Sequence, residues 1–127
     1  MKTTMLKVLD LRDLYAKISS QALPIATTYK LSKLFEAIQK ESEFYSTHLD
    51  EIIATYGKKD ENGQYILTED KNGVQIDPAN IPEVESKLQE LWNIEVELPD
   101  VKFKLAELEK VELTVQEFNS FLPFIED

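Results

Sequence analysis

The chain has no cysteine, one histidine, one arginine and three glycines in 127 residues. Without cysteine there are no disulfides, no thiolate metal sites and no thiol nucleophile. A single histidine, His48, leaves one candidate base for a Ser-His-Asp arrangement. No Gly-x-Ser-x-Gly elbow accompanies it. Ser46 and Asp50 are its local helix neighbours, and a solvated or edge-packed histidine is the simpler reading. Three glycines are too few and too scattered for a phosphate-cradling loop. No apolar run approaches the ~18 residues of a membrane span. The opening Met1-Lys2-Thr3-Thr4-Met5-Leu6-Lys7 lacks the apolar region of a secretory signal peptide. The expectation is a soluble, cytosolic protein.

What the chain does have is apolar content (43%) and charge (30%) typical of a folded domain. Its length predicts one domain, 1–127, with a core that needs no staples. Net charge is −10 and unevenly spread. Residues 1–82 carry 10 basic and 12 acidic groups, whereas 83–127 carry 4 and 12. Such a surface repels phosphate backbones, which argues against nucleic acid as a partner. It could attract a basic protein instead.

The strongest pattern is one long amphipathic helix over 25–56. Leu31, Leu34, Phe35, Ile38, Tyr45, Leu49, Ile52, Ile53 and Tyr56 recur at helical spacing, thinning at Glu41 and Ser42. Gly57 stands where a left-handed C-cap belongs. At 1.5 Å per residue such a helix is about 48 Å long, longer than a domain of this size is wide. Its two halves therefore need different partners, from this chain or another.

Upstream, Leu6 and Val8 fit a short strand or a helix lead-in, and Asp10 or Asp13 could cap a helix carrying Leu11, Leu14, Tyr15 and Ile18. Downstream, Asn62-Gly63 and Asn72-Gly73 predict two tight reversals around a β-hairpin over 64–77. Asn80 and Pro82 open a returning helix, 81–92. Ile94, Val96 and Leu98, then Val101, Phe103 and Leu105, alternate about Pro99-Asp100 and predict a second hairpin over 94–105 with glutamates facing lysines. Val111 and Leu113 could extend that sheet. Thr114-x-x-Glu117 is a capping box for a C-terminal helix, 114–125. The fold class is α+β, a long helix with shorter packing helices and small antiparallel hairpins.

Two chemical readings of the acids fail. Registering Gly63 or Gly73 as the invariant glycine of a calcium loop puts Lys58 at the first ligand position or Ala79 at the last. Pairs such as Glu41/Glu43 and Glu95/Glu97 fall on turns and solvent faces, without the burial that general acid catalysis requires. No catalytic, cofactor or metal residue is assigned. Tyr29 and Phe44 fall off the core stripe, and Phe121, Phe124 and Ile125 leave the terminus apolar. These five are the candidate interface residues.

Residues 25–92, a long helix, a hairpin and a returning helix, resemble the layout of a prefoldin-type helical hairpin. Glu51–Asp60, Glu61-Asn62-Gly63-Gln64 and Leu98–Leu113 are similar to small proteins of tailed phages and prophages. The resemblance implies a phage protein, of the host cytoplasm or of the virion; the oversized helix and apolar terminus in a chain without a site point to a non-enzymatic protein that works through protein contacts, as a structural or assembly component forming a homo-oligomer. It carries over no functional residue. The alternative is an acidic inhibitor seated in a basic groove of a host defence protein.

Overall fold

In the computed structural model, which describes residues 1–126, the first strand and helix meet without a gap. Strand β1 (Lys2–Thr4) runs straight into helix α1 (Met5–Ser19). The helix therefore begins before Asp10 and Asp13, and neither caps it. Thr4 occupies the N-cap with extended backbone and no side-chain bond. Instead the Met5 N–H donates to the Ile94 carbonyl at 2.9 Å. One free helix-end donor is thus satisfied by a distant segment. Met5, Val8, Leu11, Leu14 and Ile18 form the buried stripe of α1.

Helix α2 (Ile25–Tyr56) is continuous over 32 residues. Pro24 precedes it with φ −53°, where its fixed ring and missing N–H suit a helix start. Different parts of the same chain cover its two halves. Leu31, Leu34, Phe35 and Ile38 pack toward α1, and Thr27 and Lys30 bond residues 102–107. The distal half meets helix α3 (Ile81–Trp92), where Trp92 Nε1 donates to the Tyr45 hydroxyl at 3.2 Å. The Glu83 carboxylate beside the Tyr56 hydroxyl pushes its pKa above 10.0.

Gly57 is not a left-handed cap: its φ, ψ are −65°, 135°. The chain leaves α2 extended and enters a ring of three short segments, not a simple two-stranded hairpin. Lys58 N donates to Gln75 O (2.8 Å), Gln75 N to Ile66 O (2.8 Å) and Ile66 N to Lys58 O (2.9 Å). Leu67 and Val74 form the antiparallel bridge expected within 64–77, while Gly57 and Lys59 add bridges to Ile76 and Tyr65. At the first turn Gly63 supplies the positive φ, 79°. At the second it is Lys71, at 60°, not Gly73. Asp60 and Asp70 each accept the N–H two residues on, at 2.9 and 3.0 Å, an Asx turn. Asp77, not Asn80, supplies a side-chain cap, accepting from Ala79 N at the 3-10 turn that precedes α3.

The hairpin expected over 94–105 does not form. Strand β2 (Glu95–Glu97) pairs antiparallel with β1, Lys2 opposite Glu97 and Thr4 opposite Glu95. Strand β3 (Phe103–Lys104) pairs in parallel with β4 (Ile125–Glu126). The Val101 N–H turns back onto the Pro99 carbonyl. The two alternating stretches are thus directed to opposite chain ends, and Lys2, opposite Glu97, reaches diagonally to Glu95 at 3.7 Å. Val111 and Leu113 lie in the loop before α4, outside any strand.

Helix α4 (Val115–Phe121) keeps the predicted capping box: Thr114 Oγ1 accepts from Glu117 N, and Glu117 accepts from Thr114 N. It stops short of 125. Pro123 leaves residues 122–124 as a 3-10 turn, and 125–126 are strand. Phe103, Phe121 and Phe124 gather there with ring centroids 5.4 Å apart in sequence along the trio. The class is α+β: among the described residues there are one long helix, three shorter ones and two small two-stranded sheets. Asp127, last residue of the domain expected over 1–127, lies outside the described residues.

Candidate functional site

The five candidate interface residues separate into two groups. Phe121 and Phe124 are 0% and 1% exposed, so they belong to the core and present no surface. This corrects the reading of an apolar terminus awaiting a partner: α1 and β3 already cover it. Ile125 is half-buried in β4 opposite Phe103. Tyr29 is 63% exposed, with Lys33 Nζ 5.1 Å from its ring centroid. Phe44 is exposed and tilted against His48 at 4.3 Å. Tyr29 and Phe44 stand 15 residues apart on α2, about 22 Å, so they do not form one patch.

His48 Nδ1 lies 3.2 Å from Glu51 Oε2, one helical turn along. Both line a shallow cleft of about 480 Å³ between the distal half of α2 and α3, with Phe44, Ile52, Lys87 and Glu90. Charges of both signs meet there on flexible exposed side chains.

Two carboxylates are more firmly held. Glu107 accepts from Lys104 N (2.7 Å), Thr27 Oγ1 (3.1 Å) and Lys30 Nζ (3.2 Å). Lys30 also donates to the Lys102 carbonyl and lies 5.5 Å from the Phe103 ring centroid. This cluster ties α2 to the segment feeding β3. The Lys104 N–H is the main cause that holds Glu107 below its ordinary pKa of 4.5; Lys30 and Thr27 add to it and partial burial opposes. Glu117 is lowered too, first by Lys17 at 2.6 Å and then by the Thr114 N–H.

Both folded-state pKa values lie below the unfolded ones. Their contribution to stability is therefore complete above about pH 4.5 and is lost as pH falls through the folded values. Denaturation midpoints followed by circular dichroism should be flat between about pH 5 and 7 and drop on further acidification. Glu107→Gln should flatten that drop. An unchanged acid slope in the variant would exclude Glu107 as its source.

A cleft that the sequence did not announce lies between α1 and α2. It encloses about 290 Å³ and is lined by Arg12, Tyr15, Phe35, Ile38, Gln39 and Ser42. The one signal for it was the break in the apolar stripe at Ser42. Which residues of α1 face that break depends on helix register, which the stripe does not contain.

Among the described residues no group of three or more acids or histidines is placed to hold a metal ion. None of their helices is long and apolar enough to cross a membrane. Compared with known protein families, with curated proteins and with solved structures, the chain matches none.

Proposed function

We propose that this is a non-enzymatic phage protein that acts through protein–protein contact, as a structural or assembly component that associates with copies of itself. The observation that carries the reading is the proximal end of α2. Ile25 is 89% exposed and Tyr29 lies one turn further on the same side, also exposed. Large apolar side chains adjoining on a rigid helix favour contact surfaces. The viral origin rests on the resemblance of Glu51–Asp60 and Leu98–Leu113 to small phage proteins in sequence character alone.

A second reading rests on charge. Nine acids between Glu83 and Glu126 are exposed, which suits an inhibitor that fills a basic groove of a host protein.

Sedimentation over a wide concentration range tests the first reading. The expected result is a mass that rises with concentration, and a shift toward monomer in Ile25→Ser/Tyr29→Ser. A strictly monomeric protein at the highest concentration would overturn self-association. Capture of a basic host protein that dissociates at high salt would then replace the first reading with the second.

A further inference from the structure

The chain holds the dipeptide Asn-Gly twice, at Asn62-Gly63 and Asn72-Gly73. Glycine after asparagine leaves the next backbone nitrogen uncrowded, because no Cβ stands beside it. That nitrogen can attack the side-chain carbonyl carbon of the asparagine and close a succinimide ring. The two sites are alike in sequence, and both asparagines are exposed. The hydrogen bonds around them differ.

At the first turn the Gly63 N–H donates to the Asp60 carbonyl at 3.0 Å. Asp60 Oδ1 accepts the N–H groups of Asn62 (2.9 Å) and Gln64 (3.0 Å), and Asp60 N donates to the Gln64 carbonyl at 2.8 Å. The peptide between Asn62 and Gly63 is clamped by these bonds, and turning it toward the Asn62 side chain breaks several of them together. At the second turn Asp70 Oδ1 accepts the Asn72 N–H at 3.0 Å, and Thr68 N donates to the Gly73 carbonyl at 2.9 Å. The peptide between Asn72 and Gly73 lies between those two bonds and takes part in neither. Among the described residues, nothing accepts the Gly73 N–H and nothing donates to the Asn72 carbonyl. The left-handed φ of this turn falls on Lys71, at 60°, so the turn also carries backbone strain.

We infer that Asn72 is a site of spontaneous deamidation in the folded protein, and that Asn62, in the same dipeptide, is protected by its turn. The Gly73 nitrogen loses its proton to solvent base and bonds to Asn72 Cγ. The side-chain nitrogen takes up a proton and leaves as ammonia, and a succinimide remains. Water then opens the ring, and the Gly73 nitrogen regains a proton. Attack at Cγ leaves aspartate; attack at the backbone carbonyl carbon leaves isoaspartate, with the chain running through the side chain. Water is the only reactant consumed. Either product adds one negative charge. Isoaspartate also lengthens the backbone by one atom inside the turn that closes the Leu67–Val74 bridge, which loosens the ring. The inference does not depend on the self-association reading.

The test is incubation of the full chain in warm neutral buffer, followed by peptide mapping with mass spectrometry. Chymotryptic cleavage after Tyr65 places Asn62 and Asn72 on separate peptides. The same chain in concentrated urea, where neither turn persists, supplies the reference rate. There the two asparagines should convert at similar rates. In the folded protein Asn72 should convert about tenfold faster than Asn62, the weight of hydrogen bonds that only the first turn has to break. The isoaspartate form, separated by anion exchange, should lose hydrogen-exchange protection at Thr68 and Gln75, whose amides span the Leu67–Val74 bridge, and keep it in α1.

Gly73→Ala sets a Cβ beside the attacking nitrogen and should slow the reaction at Asn72 several-fold. The fold is retained, since that Cβ meets only the Thr68 side chain, at 3.8 Å. The inference is overturned if Asn62 converts as fast as Asn72 in the folded protein, or if Asn72 is intact there when half of the urea sample has reacted. It is equally overturned if Gly73→Ala reacts as fast as the parent chain, which would take the reaction away from the Gly73 nitrogen. Unchanged protection at Thr68 and Gln75 in the isoaspartate form would overturn the loosening of the ring.

Discussion

Phe121→Ala should destabilise the protein by about 3–5 kcal/mol, the usual range for a buried phenylalanine truncated to alanine. Phe121 is fully buried, with the rings of Phe103 and Phe124 each 5.4 Å from its own. It joins three elements: α4, which carries it; β3, which supplies Phe103; and the 3-10 turn that supplies Phe124. α4 also packs on α1. The parallel pairing of β3 with β4 rests on the same cluster, because Phe103 is the register partner of Ile125. Total stabilities of small domains are about 5–15 kcal/mol, so the variant should lose much of its margin. Urea denaturation measures the loss directly. Val115→Ala, one turn and a half earlier on the outer face of α4, should change stability by no more than about 0.5 kcal/mol. A loss at Phe121 below about 1 kcal/mol would contradict a core role and restore it as a surface residue.

That contrast marks where the sequence was legible. The bounds of α2 and α3 follow from local information: a 3.6-residue apolar period, Pro24 before one helix, Gly57 after it, and Pro82 inside the first turn of the other. The Thr114–Glu117 box is local in the same sense. Sheet pairing is not local. Ile94 to Leu98 alternate as a strand should, but alternation fixes which faces the side chains take and says nothing of the partner. β2 finds its partner at Lys2–Thr4, some ninety positions away, in a strand too short to announce itself.

The same limit applied to the start of α1 and to the site. Met5 begins the helix because the Ile94 carbonyl receives its N–H, a tertiary bond that no capping rule contains. Tyr29 and Phe44 were readable as exposed because a helical stripe defines its own outside. Phe121 and Phe124 were not, because apolarity at a terminus does not distinguish cover by the same chain from cover by another. At Ser42 the sequence displayed the interruption. Only the register of α1 against α2 places Arg12 beside it.

Gly57 carries the second large effect. Its backbone is ordinary extended chain, so positive φ is not what selects glycine. Space is. A Cβ at this position would sit 2.6 Å from the Ile53 carbonyl oxygen, 3.0 Å from Val74 Cγ1 and 3.1 Å from Tyr65 Cδ1. The Ile53 carbonyl is backbone and already accepts the Gly57 N–H at 2.7 Å, so it cannot move aside without disturbing the end of α2. Two side chains of the three-segment ring close the other directions.

Gly57→Val is therefore expected to cost about 3 kcal/mol or more, the upper part of the range for overpacking. The loss should be local first. The amides of Lys58, Ile66 and Gln75, which close the ring, should lose protection in hydrogen exchange while those of α1 and proximal α2 keep theirs. Gly73→Ala is the matched control. Its Cβ would meet only the Thr68 side chain, at 3.8 Å, and its effect should stay within about 0.5 kcal/mol. Equal effects at the two glycines would mean that contact at the helix exit is not what demands Gly57. Loss of protection throughout α1 would mean that the ring and the helical core unfold as a single unit.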